Sequence, residues 1–302
     1  MVNGIPVLVV RGNNIPDVWE RSLLLVDSEG CDIKTQYDKP EDPPSKDCTM
    51  TLVINTPLNE PMIHRCFPAD LESLNKYVNQ LIYGDSALDN SDTYTYHKRL
   101  FDYDCLVDHS LPCAPFEFSI KQFNQIDEMC KQLAKVPYTR RAQAVVWKAW
   151  EDVNREDPPC VQRVWCRLTP WVDVDRHFTI GMDVSEDVDA SLFTCGSAHF
   201  VGWTLNMDVT IRSNDAYRAA FMNLFAFVRL QCYIAKRIWE LRSEPVAVGR
   251  FVWFADSYHI YGSTMEDFKK RFLKNYVDRK FEDRTWNSNI LDVGKNGECA
   301  YA

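Results

Sequence analysis

The segment Pro158-Pro159-Cys160 places a thiol directly after two prolines, whose rings fix the backbone of the preceding turn. A cysteine attacks as its thiolate, so a nucleophile at this position needs nearby cations or helix amides that lower its pKa. The candidate cations are the arginines at positions 140, 141, 163 and 212. Taken alone, Cys160 is more commonly explained as one of eleven buried thiols, and the other motifs are what favour a nucleophile.

A candidate anion site follows about fifty residues later, at Arg212-Ser213-Asn214-Asp215. This segment closes a predicted strand and precedes a long apolar helix. Backbone amides at a helix start, a hydroxyl and a guanidinium group are together suited to a phosphate. The same residues also fit an ordinary Ser or Asp cap of a helix, and both interpretations stay open.

Three further segments carry side chains suited to the rest of a nucleotide. Arg140 and Arg141 offer two guanidinium groups for bidentate phosphate contacts, although such pairs are commonly only solvated. Asn223 lies among apolar neighbours in the predicted helix, where an unpartnered amide costs about 1–3 kcal/mol. A ligand or the backbone must therefore satisfy it. His259 and Tyr261 form a pair suited to sugar hydroxyls. With the thiol, these groups indicate an enzyme that attacks a pyrimidine nucleotide.

The elements that must position these residues are read from periodicity and from turn residues. Alternating or apolar runs predict strands at 6–10, 49–54, 142–150, 161–168, 205–211 and 250–254. Helical spacing predicts helices at 70–83, 119–133, 215–242 and 265–275. Prolines predict a loop at 38–46, and the acidic, aperiodic range 172–197 predicts a surface insertion. No repeat or long linker divides the chain.

Composition agrees with a single-domain enzyme and excludes several other classes. The 302 residues are 46% hydrophobic, and a net charge of −9 argues against a nucleic-acid backbone or an anionic membrane as partner. No apolar run reaches the roughly 18 residues of a spanning helix, and the scattered cysteines predict reduced thiols in the cytoplasm. Neither a GxxxxGK[ST] nor a GxGxxG motif is present, and the six histidines lack metal-ligand spacing, which predicts no metal.

Taken in order, these motifs resemble those of the thymidylate synthase and deoxycytidylate hydroxymethylase superfamily. The matching residues are Tyr96 in the run Tyr-Thr-Tyr-His-Lys-Arg, Arg140-Arg141 before Trp147, Pro159-Cys160, Arg212-Ser213-Asn214-Asp215, Asn223 and His259-Ile260-Tyr261. The resemblance covers residues 45–302, with 172–202 as an insertion. Residues 1–44 look specific to one lineage and are expected to pack on the core.

The resemblance implies an α+β fold, in which one domain has a twisted mixed β-sheet and packed helices. The sheet is expected to form a back-to-back homodimer interface, with active sites shared between the subunits. The implied substrate is a pyrimidine nucleoside monophosphate, and the implied cofactor is 5,10-methylenetetrahydrofolate. The class of enzyme is therefore a transferase.

The resemblance also implies roles for single residues. Cys160 adds to C6 of the pyrimidine, which makes C5 nucleophilic toward the methylene group of the folate. Asn223 faces the N3/O4 edge of the base, while Asp215 helps to order the folate and a water network. Tyr96 assists removal of the C5 proton, with Tyr94 as the alternative. The implied phosphate contacts come from both subunits, with Arg212 and Ser213 from one subunit and Arg140 and Arg141 from the other. His259 and Tyr261 are implied to hold the sugar.

Several positions depart from the family pattern. Val161 stands directly after the nucleophile where relatives commonly carry His. Tyr77 stands where a glutamate that aids proton transfer is expected, and Glu72 is the nearest carboxylate in that segment. The phosphate-binding loop of the family has no clear copy, so Ser45 and Lys46 are its candidate replacement.

The base and the product are separate questions. An Asn can donate to O4 and accept from N3–H, so Asn223 favours uridylate, although a flipped amide would accept from a cytosine amino group. Methylation of dUMP is the first expectation. The missing His and Glu favour a second reaction, 5-hydroxymethylation of CMP or dCMP. A catalytically inactive nucleotide-binding homologue is the third alternative.

Overall fold

The computed structural model describes residues 4–84, 94–108, 118–174 and 198–291. Its strands are β1 (Val7–Gly12), β2 (Cys31–Ile33), β3 (Ser45–Ile54), β4 (Ile63–His64), β5 (Tyr103–Asp108), β6 (Phe118–Phe123), β7 (Gln143–Val145), β8 (Val161–Val174), β9 (Ala198–Asp215), β10 (Val246–Ile260) and β11 (Thr285–Trp286). Its helices are α1 (Ile15–Glu29), α2 (Leu71–Tyr83), α3 (Tyr96–Phe101), α4 (Gln125–Lys135), α5 (Ala149–Asp152), α6 (Ala220–Arg242), α7 (Met265–Asp267) and α8 (Lys274–Asp278). A π-helical turn, Phe268–Leu273, joins the last two.

A seven-stranded sheet forms the centre of the molecule, in the order β1-β3-β10-β9-β8-β7, with β2 also paired to β3. The pairs β1/β3 and β10/β9 are parallel, whereas β3/β10, β9/β8 and β8/β7 are antiparallel. Short hairpins made by β5 with β6 and by β4 with β11 lie off this sheet. The predicted α+β fold with a mixed sheet and packed helices is confirmed.

Helix α6 is the central helix of the core. Apolar residues cover most of its surface, and a helix of that kind must be buried on nearly every side. Phe221, Phe225 and Phe227 are almost fully buried. The Phe221 ring packs edge-on against Trp19 of α1, with 5.3 Å between ring centroids. Because α6 carries Asn223, this packing fixes the position of a predicted site residue.

The first 44 residues supply part of the sheet and of the core. β1 pairs in parallel with β3, and α1 begins at the cap Asn14, whose side chain accepts a hydrogen bond from the Asp17 amide. Trp19 is fully buried, and its indole N–H donates to the carbonyl of Ala216 at 2.8 Å. We did not predict α1 from the sequence. Whether the segment is specific to one lineage stays a prediction.

Two predicted helices begin later than the sequence indicated. The helix expected over 119–133 is preceded by β6, which pairs with β5, and α4 begins only after Asn124 caps the Asp127 amide. The helix expected from Asp215 begins at Ala220, because β9 continues in parallel pairing with β10 through Asp215. Backbone pairing to a neighbouring strand therefore overrides the local helical pattern in both places.

Other element bounds also differ from the sequence prediction. Only Gln143–Val145 of the expected strand at 142–150 is a strand, and the short helix α5 follows it. β8 and β9 extend into the range expected to be irregular, pairing from Trp171↔Gly202 to Val174↔Ala198. The remainder of the predicted insertion, 175–197, lies outside the described residues. None of the described helices is long and apolar enough to cross a membrane.

Register irregularities lie where the sheet meets the site residues. The pairing of β8 with β9 shifts between Val161 and Arg163, directly after Cys160. The pairing of β10 with β3 shifts between Ala255 and Tyr258, directly before His259. A bulge bends its strand and redirects the side chains beside it. The two bulges therefore set the directions of the two strand ends that carry Cys160 and His259.

Candidate active site

Cys160 is half-buried and is held by one arginine from the neighbouring strand. The backbone N–H of Arg212 donates to the Cys160 carbonyl at 2.8 Å. Its guanidinium Nε donates to the carbonyl of Pro159 at 3.1 Å, and Nη2 donates to that of Pro158 at 2.7 Å. The two prolines and Arg212 therefore fix the turn that presents the thiol.

The thiol is not activated by the charges around it in the single chain. Burial raises the pKa of Cys160, the Arg212 guanidinium partly opposes that rise, and the Asp157 carboxylate adds to it. Arg140 and Arg141, which were expected to surround the thiol, contribute no such effect within the described part of the chain. Cys160 is therefore protonated at neutral pH in the single chain.

Three tyrosines lie beside the thiol. The Tyr96 hydroxyl accepts a hydrogen bond from the Val161 amide at 3.4 Å, and the rings of Tyr94 and Tyr96 are 5.8 Å apart. Burial raises the pKa of Tyr94 to about 12 and raises the pKa values of Tyr96 and Tyr77 as well. All three phenols stay protonated. They can therefore donate or relay protons, but they are not present as phenolate bases.

These tyrosines line a cavity of about 200 Å³. The remaining lining residues come from the same two helices, from the residues before α3 and from the loop before the nucleophile: Gln80, Leu81, Thr95, His97 and Asp157. Since Asp157 and the tyrosines also act on the thiol electrostatically, the cavity lies beside Cys160. Its lining contains hydroxyl groups and one carboxylate.

Asn223 is buried and is held by a side chain from another helix. The hydroxyl of Tyr77 donates to Asn223 Oδ1 at 2.7 Å, linking α2 to α6. The sequence left a ligand or the backbone as partners of this amide, and Tyr77 was not considered. Tyr77 was recognised only as the residue at the position of the expected glutamate. The structure places it against the amide that was predicted to read the base.

Asp215 ends β9, with its carboxylate bound on one side only. Oδ1 accepts hydrogen bonds from the amides of Tyr217 at 3.0 Å and Arg218 at 2.8 Å. Burial raises the pKa of this carboxyl, and the two amides oppose the rise. No described residue is hydrogen bonded to Oδ2. That oxygen is available to a ligand, whereas the adjacent Asn214 faces away and accepts from the Trp253 indole.

His259 stands opposite Asp215 in the parallel pairing of β10 with β9. Its Nδ1 lies 3.1 Å from Ser257 Oγ, which donates to the Asp47 carboxylate at 2.9 Å. Because the Ser257 proton goes to Asp47, the hydroxyl accepts from Nδ1–H, and Nε2 is left as an acceptor. Burial lowers the pKa of His259 to about 4, so the ring is neutral.

The Nε2 atom of His259 is buried and has no hydrogen-bond partner among the described residues. A buried polar atom without a partner is costly, so this nitrogen indicates a ligand that donates a hydroxyl proton. The Tyr261 ring packs edge-on against the His259 ring, with 4.5 Å between centroids. The predicted pair is therefore brought together, and Asp215 lies in the adjacent strand.

Sequence reasoning missed Ser257 and Asp47. Ser257 precedes His259 by two residues in one strand, and residues two apart share a face, which is a signal that could have been used. Asp47 offers no such signal, because its neighbour His259 in the sheet is more than 200 residues away.

The structure does not bring Lys46, Arg140 and Arg141 to the thiol of the same chain. Lys46 Nζ forms an ion pair with Asp32 at 2.8 Å, while the neighbouring Ser45 is buried and bonded to Asp38. Arg140 and Arg141 are exposed, and the Arg140 carbonyl accepts from the indole of Trp165 at 3.0 Å. Ser213 is half-buried and pairs with Ser257. The phosphate-binding roles of these residues stay predictions.

The described residues also hold no cluster of three metal-ligating side chains.

Cys160 directly before β8, Asn223 in α6 and His259 in β10 are among the residues on which the resemblance to thymidylate synthases was noted. Residues 78–282, more than half of the chain, match the family described as thymidylate synthase. The chain belongs to the thymidylate synthase family. Membership supports a transferase role and, in general, transfer to C5 of a pyrimidine.

Individual relatives are distant. The chain is 22% identical over 272 residues to the "Putative thymidylate synthase" of Methanocaldococcus jannaschii, covering 88% of this chain and 96% of that protein. It is 27% identical over 183 residues to the thymidylate synthase of Lactococcus lactis subsp. cremoris, covering 58% of this chain and 52% of that enzyme. The structure of thermostable thymidylate synthase A from Bacillus subtilis superposes with a TM-score of 0.55 at 14% identity, covering 94% and 98% of the two chains. That likeness shows the shared fold.

Proposed function

We propose that the protein transfers a one-carbon unit to C5 of a pyrimidine nucleoside monophosphate through a covalent bond between Cys160 Sγ and C6. The first candidate reaction is methylation of dUMP. The observation that carries the proposal is the turn at Cys160, which Arg212 holds through both preceding carbonyls while its own charge lies close to the thiol. A structural cysteine needs no such support.

The residues of the chain account for addition to the base. Cys160 loses its proton, its sulfur bonds to C6, and the electron pair of the C5=C6 bond moves toward O4 as an enolate. The Nδ2 group of Asn223 donates to O4 and stabilises that charge, as preorganised donors do at developing oxyanions. C5 thereby becomes the nucleophile. Once C5 has bonded to the one-carbon unit, the C5 proton leaves and the bond from that carbon to the folate nitrogen would break. Hydride for methylation, or water for hydroxymethylation, would then add to the carbon as Cys160 leaves C6, which restores the double bond, and the thiolate takes up a proton again.

Tyr96 and Tyr94 are proposed to assist removal of the C5 proton. Their raised pKa values keep both hydroxyls protonated, so they pass the proton to water rather than hold it. The cavity that they line beside Cys160 contains space for such water. Asp157, at the edge of this cavity, is the nearest carboxylate that could finally accept the proton.

The site fits 5,10-methylenetetrahydrofolate. The available oxygen of the buried Asp215 carboxylate suits the ring N–H groups of a pterin, and tyrosine faces suit its flat ring. When bound, the folate would supply the one-carbon unit and, for methylation, a hydride. Asp215 and the tyrosines would orient it and limit water around C5.

Nucleotide binding is assigned to residues from two subunits. His259 Nε2 would accept the proton of a sugar hydroxyl, with Tyr261 beside it. Arg212 uses two guanidinium nitrogens for the nucleophile turn, and its third, together with Ser213, is proposed for phosphate. Arg140 and Arg141 are proposed to complete the phosphate site of the other subunit of a homodimer. Both arginines are exposed, and the Arg140 carbonyl contacts Trp165. Trp165 lies five residues from Cys160 along β8, so these two residues are roughly 17 Å apart.

Hydroxymethylation is the second candidate, because the lining of the cavity includes three tyrosine hydroxyls and the Asp157 carboxylate. Hydroxyl groups and the Asp157 carboxylate can hold and activate water near C5, and water in place of hydride gives a hydroxymethyl product. The experiment is a panel of dUMP, UMP, dCMP and CMP with methylenetetrahydrofolate, followed by release of the C5 proton and by product mass. A methyl product from dUMP supports the first candidate. Absence of C5-proton release from all four nucleotides contradicts both.

A further inference from the structure

Tyr77 occupies a position from which it can control the orientation of Asn223. Its hydroxyl lies 2.7 Å from Asn223 Oδ1, and the two residues are 146 positions apart, on α2 and α6. Burial raises the pKa of Tyr77, so its hydroxyl carries a proton throughout the physiological range and donates it to the amide oxygen.

This bond makes the two orientations of the Asn223 amide unequal. In the observed orientation, Oδ1 receives the phenol proton and keeps a second lone pair, while Nδ2 keeps its donors. A flipped amide would turn Nδ2–H toward Tyr77 and break the bond that the phenol donates to Oδ1. The observed orientation is therefore favoured by that hydrogen bond.

The two orientations suit different bases. Uracil carries a donor at N3 and an acceptor at O4, which pair with the second lone pair of Oδ1 and with Nδ2–H. Cytosine carries an acceptor at N3 and a donor at the 4-amino group, so it requires the flipped amide. The residue that fixes the amide therefore fixes the preferred base.

We propose that Tyr77 is a positioning residue for base specificity, which selects uracil over cytosine by holding the Asn223 amide in one orientation. This inference rests on the proposed function, since it assumes that Asn223 faces a pyrimidine. It also gives a role to the tyrosine that stands in place of a glutamate. The side chain orients the base-reading amide and acts on the substrate only through it.

The test measures dissociation constants for dUMP and dCMP by calorimetry in the absence of folate, so that turnover plays no part. The wild type is expected to prefer dUMP, and Tyr77→Phe is expected to reduce that preference by about tenfold, as expected for loss of one hydrogen bond. The control is Tyr233→Phe, which removes a phenol hydroxyl from the same helix as Asn223. Tyr233 packs on Phe101 and is ten residues from Asn223, or about 15 Å. This control is expected to keep the wild-type ratio.

A double-mutant cycle with Asn223→Ala shows whether Tyr77 acts through the amide. In that background, Tyr77→Phe is expected to leave the ratio of the two dissociation constants unchanged. A wild type that prefers dUMP, with the same ratio in Tyr77→Phe, overturns this inference and leaves the proposed function intact. A wild type that prefers dCMP also overturns it. If the wild type binds only ribonucleotides, the same ratio is measured with UMP and CMP. Failure of the wild type to bind any of the four nucleotides overturns the proposed function together with the inference.

Discussion

At the scale of single residues, the side chains of the candidate site are held in place, but the Cys160 thiol is still protonated. Arg212 fixes the carbonyls around Cys160, yet burial keeps the thiol protonated. His259 is fixed through Ser257 and Asp47, and one ring nitrogen is left for a ligand. The single chain therefore has these groups in place, with a protonated thiol and one unpartnered ring nitrogen left for the proposed nucleotide.

Replacing Cys160 by Ala is expected to lower turnover to background, because the covalent bond to C6 cannot form. Nucleotide binding is expected to stay within a few-fold of the wild type, since the proposed phosphate and base contacts do not use the thiol. Calorimetry with dUMP and release of the C5 proton measure the two effects. The control is Cys66→Ala, which removes another half-buried thiol. Turnover by Cys160→Ala would contradict the proposed chemistry.

His259 is expected to make stability depend on pH. Its pKa is lowered from 6.5 to about 4 in the folded chain, so below pH 6.5 the unfolded chain binds more protons. The free energy of unfolding therefore falls as pH falls from about 6.5 to 4, by roughly 3 kcal/mol from this residue. Urea unfolding at several pH values is the measurement. His259→Asn is expected to show a shallower fall over the same range, and an identical fall in both proteins would show that the ring titrates normally.

The chemistry of a residue could be predicted from the sequence where all the residues that indicate it lie in one short segment. The thiol after two prolines and the His-x-Tyr pair were recognised in the sequence, and the structure brings the latter together. Asp47, Ser257 and the Tyr77 contact were not predicted. Ser257 could have been found from its spacing to His259 in the same strand. The contacts of Asp47 with Ser257 and of Tyr77 with Asn223 join different elements, so they exist only after the chain has folded.

At the scale of elements, a buried ionic cluster joins three distant parts of the chain. Glu20 of α1 accepts two hydrogen bonds from Arg284, at 2.7 Å each, and its carboxylate lies 3.0 Å from His64 of β4. His64 also accepts a hydrogen bond from the Cys66 amide. All three side chains are buried, so the Glu20 carboxylate depends on Arg284 and His64 for compensation.

Removing one member of this cluster is expected to destabilise the fold. Arg284→Ala leaves the Glu20 carboxylate buried without its main counter-charge, and the free energy of unfolding should fall by about 3–5 kcal/mol. Urea unfolding at pH 7 measures the change. Arg21→Ala on the same helix is the control, because its ion pair with Asp17 is largely exposed and should contribute less than about 1 kcal/mol. Equal losses in both variants would contradict a structural role for the buried cluster.

Elements with strong local signals were predicted well. α2 begins after its cap Asp70 and ends at Gly84, whose φ of 80° favours glycine. The start of α6 was predicted five residues early, because the pairing that keeps Asp215 in β9 comes from β10, about forty residues later. The helix α1 was missed although Asn14 and Pro16 form a recognisable start. Helix ends that depend on local residues could therefore be predicted, whereas helix ends that depend on pairing with a distant strand could not.

At the scale of the whole molecule, the proposed active site needs two subunits. Arg141 lies on the exposed surface, away from the thiol of its own chain, so its proposed partner is a second copy. Arg141→Ala and Cys160→Ala are each expected to be inactive alone. Mixing them with subunit exchange should restore about one quarter of the wild-type activity, because half of the dimers are mixed and each has one complete site.

The control for this experiment is a mixture of Arg141→Ala with itself after the same exchange treatment, which should stay inactive. Exchange is verified by mass spectrometry of differently labelled subunits. Full exchange without recovered activity would show that Arg141 acts within its own chain or not at all.

The region that matches the family model is shorter than the unit that folds. The match begins at residue 78, whereas the sheet begins with β1 at Val7 and places β3 between β1 and β10. A chain shortened to the matched region would lack β3 and expose the edge of β10, the strand that carries His259. Unpaired strand edges invite association between chains. Boundaries for truncation, fusion or expression must therefore be taken from the sheet and not from the family match.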